Sequence, residues 1–424
     1  MTPFGRLVRE IEPHGLSSLG DQLVTYQCHH HSLFLDQTVS DALGGEGWAV
    51  RRQAAFESSH ALLASFYAEF GIIGAEDRLE LASELFAAMG HGRLTFEITA
   101  EGGTVRGHQL HHGSGFLAKY GGQIKNRRPV DSFAAGFVSA AASLAFPSDW
   151  GTLEADEVGC SARGDELCVF ILSRRPERAR FGAVVTRQLA EALGEKHKEG
   201  LARPSPAAAR SAGELAHLLH GAQTGEAGVL DLFGQRVAIV PVSYGSQITY
   251  DTVQLIEKRN PELFPLVATL VREAAQMGAF HLLGGILSST EWQKDHGAPA
   301  ADVEVRLEQL LGLCRALGWG AFDADEFSPG TELVLVSALT PESAYYATRH
   351  GTTVRSRLFF QQGLAIALML LLDRVDFTAA EPIGPSTYEG LFKEGTRYRV
   401  EEMRSPLRGD AACEVMVEPA SVRW

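Results

Sequence analysis

The sequence predicts an α+β fold of two homologous units, each of helices plus a small antiparallel sheet, packed as a pseudo-dimer. Three observations carry this. A motif occurs twice. Glu157-Val158-Gly159-Cys160 leads through Arg163-Gly164-Asp165 to Cys168 and an apolar run, and Glu402-Met403-Arg404-Ser405 leads through Arg408-Gly409-Asp410 to Cys413 and Glu414-Val415-Met416-Val417. The helical and strand-like patterns ahead of each motif recur in the same order. At 424 residues the chain exceeds one ordinary core and suits two domains, or three small ones.

The elements follow in order. Residues 1–19 read as an N-terminal extension, 20–175 as the first unit, 176–234 as a helical connector and 235–424 as the second unit. Each unit opens on helices: Leu35-Asp36-Gln37-Thr38-Val39 resembles Thr249-Tyr250-Asp251-Thr252-Val253, and amphipathic stretches run over about 76–89 and 302–317. Gly90-His91-Gly92-Arg93-Leu94 and Gly318-Trp319-Gly320-Ala321-Phe322 end those stretches. Strand-like alternation comes next. Leu94, Phe96 and Ile98 share a face, and Glu101-Gly102-Gly103 reads as a tight turn into Thr104–Leu110, with Glu332–Val336 the matching strand in the second unit. Ser114-Gly115-Phe116 resembles Ser343-Ala344-Tyr345. A small-residue helix starts near Phe133 and near Phe359, with Gly136 and Gly363 in corresponding places. The final hairpin carries the Glu/Cys motif. The connector is rich in Arg, Ala, Glu and Gly, with Pro204 and Pro206, and reads as helix plus loop or as a segment packed across both units.

Composition narrows the function. The chain is 45% hydrophobic and 21% charged, the balance of a globular protein. A formal net charge of -14 argues against nucleic acid or an anionic membrane as partner, although Lys125-Asn126-Arg127-Arg128 is a local basic stretch. The longest apolar run, Gly363 to Leu372, falls short of the roughly 20 residues that span a bilayer. The N-terminal residues lack a secretory signal pattern, and five thinly spread cysteines suit a reducing cytoplasm. No phosphate-cradling glycine loop or nucleophile-elbow serine occurs. Tyr120-Gly121-Gly122 reads as turn glycine, and Phe133, Phe137, Phe146, Tyr345-Tyr346 and Phe359-Phe360 as core, with the lining of an apolar pocket as the alternative.

The Glu/Cys motif has metal-ligand chemistry, since zinc takes thiolates and carboxylates in tetrahedral sets of four. Cys160 and Cys168 fall on the two arms of a hairpin turned at Arg163-Gly164-Asp165, and Glu157 can reach the same point. A fourth ligand must come from elsewhere. The alternative is a pair of core thiols. In the second copy Ser405 replaces the first cysteine, and no metal is expected there.

The stretch from Pro129 to Ile171 resembles the 4-vinyl reductase domain, also found in the sensor domain of phenol-responsive bacterial transcription activators. Pro129-Val130, Gly136-Phe137, Glu157, Cys160, Gly164-Asp165, Cys168 and the apolar strand after it carry the resemblance. It implies an α+β ligand-binding fold with zinc held by Glu157, Cys160, Cys168 and an upstream cysteine. That cysteine corresponds to Asp131 here, so Asp131 ligating through oxygen, a histidine in its place, and an empty site all stay open. Leu358 stands at the same position in the second copy.

Histidines crowd the first unit: Cys28-His29-His30-His31, His108-Gln109-Leu110-His111-His112, His60 and His91. Their counterparts Val242-Ser243-Tyr244-Gly245 and Leu339-Thr340-Pro341 contain none. One reading is a second metal site drawn from Cys28, His29, His31, His108, His111 and His112, holding a transition metal such as iron. Another is a set of solvated polar residues at a helix start, and contact with a tetrapyrrole is a third. Three functions follow: a metalloenzyme with a structural zinc and a His-rich site acting on a small organic molecule; a sensor or carrier of a small apolar or aromatic ligand with structural zinc only; or an interaction protein that keeps the fold alone. A small molecule is the expected partner, with a homo-oligomer or a separate output protein beside it, since no helix-turn-helix or ATPase pattern is present.

Overall fold

The computed structural model describes residues 8–11, 13–121, 128–176, 186–196, 204–221, 224–377, 383–393 and 397–420. Gly122 and the basic Lys125-Asn126-Arg127 lie outside that set. The fold is α+β, with 14 helices and three antiparallel sheets among the described residues.

The first half runs β1 (Val8–Ile11), β2 (Leu16–Leu19), β3 (Gln22–Cys28), α1 (His29–Leu43), α2 (Glu46–Phe70), α3 (Ala75–Ala88), β4 (Arg93–Thr99), β5 (Gly102–His108), α4 (His111–Tyr120), α5 (Ser132–Ala145), β6 (Thr152–Gly159) and β7 (Cys168–Arg175). The connector holds α6 (Arg187–Lys196) and α7 (Pro206–Gly221). The second half runs β8 (Leu230–Leu232), β9 (Gln235–Pro241), α8 (Val242–Arg259), α9 (Phe264–Ser288), α10 (Thr290–His296), α11 (Val303–Ala316), β10 (Asp323–Ser328), β11 (Glu332–Ser337), α12 (Pro341–His350), α13 (Phe359–Asp373), α14 (Pro385–Lys393), β12 (Tyr398–Arg404) and β13 (Cys413–Pro419).

Two four-stranded sheets have the same order, β4-β5-β7-β6 and β10-β11-β13-β12. The helix pairs behind them repeat in atomic detail. A Cβ on Gly136 would meet the Ala55 Cβ at 2.4 Å and the Arg52 carbonyl at 2.5 Å; one on Gly363 would meet the Ala275 Cβ at 2.7 Å and the Arg272 carbonyl at 2.3 Å. Glycine therefore lets α5 lie against α2, and α13 against α9, at backbone contact.

The third sheet, β1-β2-β3-β9-β8, joins the halves. Strands β3 and β9 pair antiparallel with Tyr26 opposite Ile239. The Tyr26 N–H donates to the Leu317 carbonyl at 3.0 Å, and the Ile239 N–H donates to the Met89 carbonyl at 2.8 Å. The Trp319 indole N–H donates to the Tyr26 carbonyl at 2.9 Å, and His91 Nε2 lies 2.9 Å from the Ile239 carbonyl. Each half thus grips the other's strand through the same Gly-Trp/His-Gly segment. The helices follow the strands: α1 packs along α9 of the second half, and α8 along α2 of the first.

Sequence pattern alone starts each unit with helices and treats 1–19 as an extension. The structure places β1 and β2 in that extension and β3 and β9 ahead of the helices. All seven β3 residues are buried, so the alternation that betrays a half-exposed strand is missing. The β4–β5 turn sits at Ala100-Glu101, one step before the expected Glu101-Gly102-Gly103. Helices α4 and α12 match with Gly113 against Ser343, one residue from the sequence pairing, because each starts after its own cap at Leu110 and Thr340. In the connector, α7 lies so close to α11 that a Cβ on Gly312 would meet the Ala208 carbonyl at 2.2 Å, while Thr186 bridges to Gln22 of β3. No described helix is long and apolar enough to cross a membrane.

Candidate metal centre and interface cavity

Hairpin β6–β7 brings its two cysteines together. A single 3-10 turn, Ser161–Arg163, is closed by Gly164 at φ 94°. Asp165 folds back so that its carboxylate accepts from the Cys160 N–H at 2.8 Å. Cys168 opens β7 opposite Gly107 of β5. Asp131 arrives from the residue before α5, where its N–H donates to Glu157 Oε2 at 3.0 Å and its Oδ1 accepts from the Gly113 N–H at 3.1 Å.

Asp131, Glu157, Cys160 and Cys168 are all buried, and each offers a ligand atom within 4.8 Å of the others. Cys168 Sγ lies 3.2 Å and Cys160 Sγ 3.8 Å from Asp131 Oδ2. A tetrahedral zinc with bonds near 2.2 Å spaces its ligands by roughly 3.6 Å. Glu157 Oε2 is taken by the Asp131 N–H, whereas its buried Oε1 has no hydrogen-bond partner. The residues therefore fit a four-coordinate metal of thiolate and carboxylate preference.

Their electrostatics point the same way. Burial, then the Asp131 charge, pushes the Glu157 carboxyl up to about 12. Burial raises Asp131. The hydrogen bond with Cys160, reinforced by burial, raises Cys168, while that bond from Cys168 lowers Cys160. Four acidic groups packed this closely cannot all ionise without a cation among them.

Gly113 is part of the construction. A Cβ there would meet Ser161 Oγ at 2.5 Å, Asp131 Oδ2 at 2.9 Å and Cys168 Sγ at 3.6 Å. The second half keeps the frame without the ligands. Glu402 Oε2 accepts from the Leu358 N–H at 2.9 Å, and Asp410 accepts from the Ser405 N–H at 2.8 Å. Leu358, Ser405 and Ser343 stand where Asp131, Cys160 and Gly113 stand in the first half, and the Ser343 side chain hydrogen-bonds Cys413.

The sequence also suggested a second site from Cys28, His29, His31, His108, His111 and His112. Among the described residues, Asp131, Glu157, Cys160 and Cys168 form the one group of three or more ligand-type residues whose donor atoms meet. The other six do not close on one point. The Cys28 thiol donates to the Gly278 carbonyl at 3.5 Å. His108 is exposed at the end of β5. His31 packs on Phe360, ring centres 5.9 Å apart, and His112 Nε2 faces Asp36 at 3.6 Å, with Arg51 on the same carboxylate oxygen at 3.2 Å. His29 stacks towards His30 at 4.0 Å, and His30 on His281 at 4.0 Å, a partner from α9 that no local sequence signal reveals. His111 lies between His91 and His112, ring centres 5.8 and 5.4 Å away. Burial holds His29, His31 and His281 neutral with values near 4, and lowers His111 well below the ordinary range. A carbonyl can only accept, so His91 Nε2 carries its proton and donates to Ile239, as the Trp319 indole donates to Tyr26.

A cavity of about 90 Å³ lies between the halves, on elements of both. Leu35, Val242, Ile248, Val271, Phe359 and Phe360 form its apolar wall. It has two polar poles. One is Asp36 with His112; the other is Glu342 with Tyr250, whose hydroxyl lies 3.3 Å from Glu342 Oε2. Neither cysteine of the metal group, nor Asp131 or Glu157, reaches this cavity. A larger open cleft of about 870 Å³, walled by Trp48, Phe116, Tyr120 and Arg128, touches the metal group at Glu157.

No family model matches the chain, and no curated protein does. Eight solved chains match in structure. Among them is the crystal structure of the phenol-responsive sensory domain of the transcription activator PoxR with phenol, at a TM-score of 0.34 and 19% identity, over 40% of this chain and 86% of that one.

Proposed function

We propose that this chain is a small-molecule-binding protein stabilised by one structural zinc ion. Asp131, Glu157, Cys160 and Cys168 hold the zinc, and the cavity between the halves takes a small, largely apolar organic molecule. Residues 20–175 and 235–424 act as two units, of which the first is metal-bearing and the second supplies much of the ligand wall. The observation that supports this is the separation of the two sites: the donor set is buried and complete with four protein ligands, while the cavity lies elsewhere. A closed set of four is a structural centre. Bound there, zinc ties α4, the start of α5 and hairpin β6–β7 together and neutralises their charge. Two thiolates with two carboxylates suit it.

Metal analysis tests the first claim. Purified protein should carry one zinc per chain, lost in Cys160→Ser and retained in His29→Ala/His31→Ala. Metal-free protein, or metal lost only with the histidines, refutes it. The cavity is tested with Gly245→Phe. Gly245 lines the cavity on α8, and a Cβ there meets nothing within 4 Å, so a larger side chain can be introduced from this position. Calorimetry against a panel of small alcohols, ketones and amines should find binders that Gly245→Phe abolishes. Binding unchanged by that variant places the ligand outside the cavity.

A second reading, a metalloenzyme, draws on the cleft against Glu157. It requires Glu157 to leave the metal and admit substrate. Turnover of a small organic substrate that is lost in Glu157→Gln with zinc retained would favour it.

A further inference from the structure

We propose that the cavity between the halves is built for a small organic ammonium ion, held by Glu342 against aromatic walls. This rests on the cavity being the ligand site.

Three features carry the inference. The first is charge. Glu342 is buried at the second turn position of α12 and lines the cavity. Its carboxylate accepts from the Phe360 and Gln361 N–H groups at 2.9 and 2.8 Å, and the Tyr250 hydroxyl, which donates to the Arg357 carbonyl at 2.7 Å, lies 3.3 Å away. The N–H groups are neutral donors, and among the described residues no lysine or arginine lines the cavity. At the other pole Asp36 has its cation, Arg51, reaching in from α2. Glu342 is thus the cavity carboxylate whose counter-charge the walls do not supply, and burial pushes its carboxyl up to about 8. An ammonium group entering the cavity provides that charge.

The second feature is the wall. Tyr244, Tyr250, Phe359 and Phe360 all line the cavity, and Tyr250 and Phe359 have ring centres 6.1 Å apart. Aromatic faces around a carboxylate are the surroundings that favour an organic cation over a neutral molecule of equal shape. The third is size. About 90 Å³ is well under the ~150 Å³ that accommodates benzene, so the site suits a compact group of a few heavy atoms.

The arrangement belongs to the second half. Position 342 corresponds to His112, so the first half presents an imidazole where the second presents a carboxylate. The two poles differ in sign preference although their helices match.

The test uses ethylammonium chloride and ethanol, which share a shape and differ in charge, titrated calorimetrically into the purified protein. The ammonium ion should bind, with ethanol at least about 30-fold weaker. Glu342→Gln, which keeps an oxygen for the Phe360 N–H, should weaken the ammonium ion about 30-fold or more and leave ethanol unchanged. Phe360→Leu keeps the carboxylate and removes one aromatic face; it should weaken the ammonium ion by roughly 3- to 30-fold. Equal binding of the two compounds, or ammonium binding indifferent to both substitutions, overturns the inference. If ethanol then binds and Gly245→Phe blocks it, the cavity remains the ligand site. If neither compound binds the wild-type protein, the inference also fails, and the broader panel decides the cavity reading separately.

Discussion

Replacing Gly113 with alanine separates metal binding from folding. The added methyl would stand 2.5 Å from Ser161 Oγ and 2.9 Å from Asp131 Oδ2, distances that a Cβ does not tolerate. The Ser161 hydroxyl can rotate away, but Asp131 Oδ2, also under 3.0 Å, must shift as well. Its movement strains the 3.1 Å hydrogen bond from the residue 113 N–H that orients Asp131 towards the sulfurs. Disturbing a group that orients a ligand costs ~10–100-fold in metal affinity, or about 1.4–2.8 kcal/mol. Residue 113 is also helical, so alanine returns up to ~1 kcal/mol of helix propensity. Metal-free Gly113→Ala should therefore melt near the wild-type temperature, while its zinc affinity falls. The assay is competition with a chromophoric chelator, alongside thermal melts with and without zinc. Wild-type zinc affinity in this variant would refute the reasoning, because it would mean that the four donors are not held against α4.

The same frame gives further expectations. Leu358→Cys/Ser405→Cys should add little metal binding to the second half, because Ser343 occupies the place of Gly113; adding Ser343→Gly should raise zinc content from one to two per chain by elemental analysis. Glu342 has a folded value near 8 against an ordinary 4.5, so its stabilising contribution is complete below about pH 4.5 and is lost as pH rises through 8. Urea midpoints of the wild type should fall over that window with a slope of up to ~1.4 kcal/mol per pH unit, and Glu342→Gln should flatten the slope. Trp319→Phe leaves the buried Tyr26 carbonyl without its indole donor and should cost ~1–3 kcal/mol by chemical denaturation, with zinc content unchanged.

The repeated Glu/Cys motif was legible because its ligand types sit at fixed spacing on a hairpin, where local geometry decides which side chains meet. Asp131 could be placed only by resemblance, since its approach depends on how α5 docks on the hairpin. The histidine runs misled for a related reason. Crowding in sequence is not convergence in space: on α1 His29, His30 and His31 leave the axis in different directions and meet different neighbours. His281 and Glu342 carry no local pattern: His281 acquires its setting from His30 of the other half, and Glu342 from Tyr250 and the start of α13, which are distant in sequence. Strand β3 was hidden by complete burial and β9 by the burial of its last five residues, and with them the exchange that builds the cavity.

That exchange sets what the chain can and cannot vary. In a symmetric homodimer every substitution appears twice, so a ligand removed from one subunit is removed from both. Here the matched halves are one polypeptide, and each can drift alone. The clasp cannot. Tyr26 and Ile239, with the Gly-Trp-Gly and Gly-His-Gly segments that hold them, serve both halves at once. A chain nicked between residues 204 and 224 should therefore remain a single particle, each fragment completing the other's sheet, and reassembly from separately made halves should recover zinc binding and cavity together.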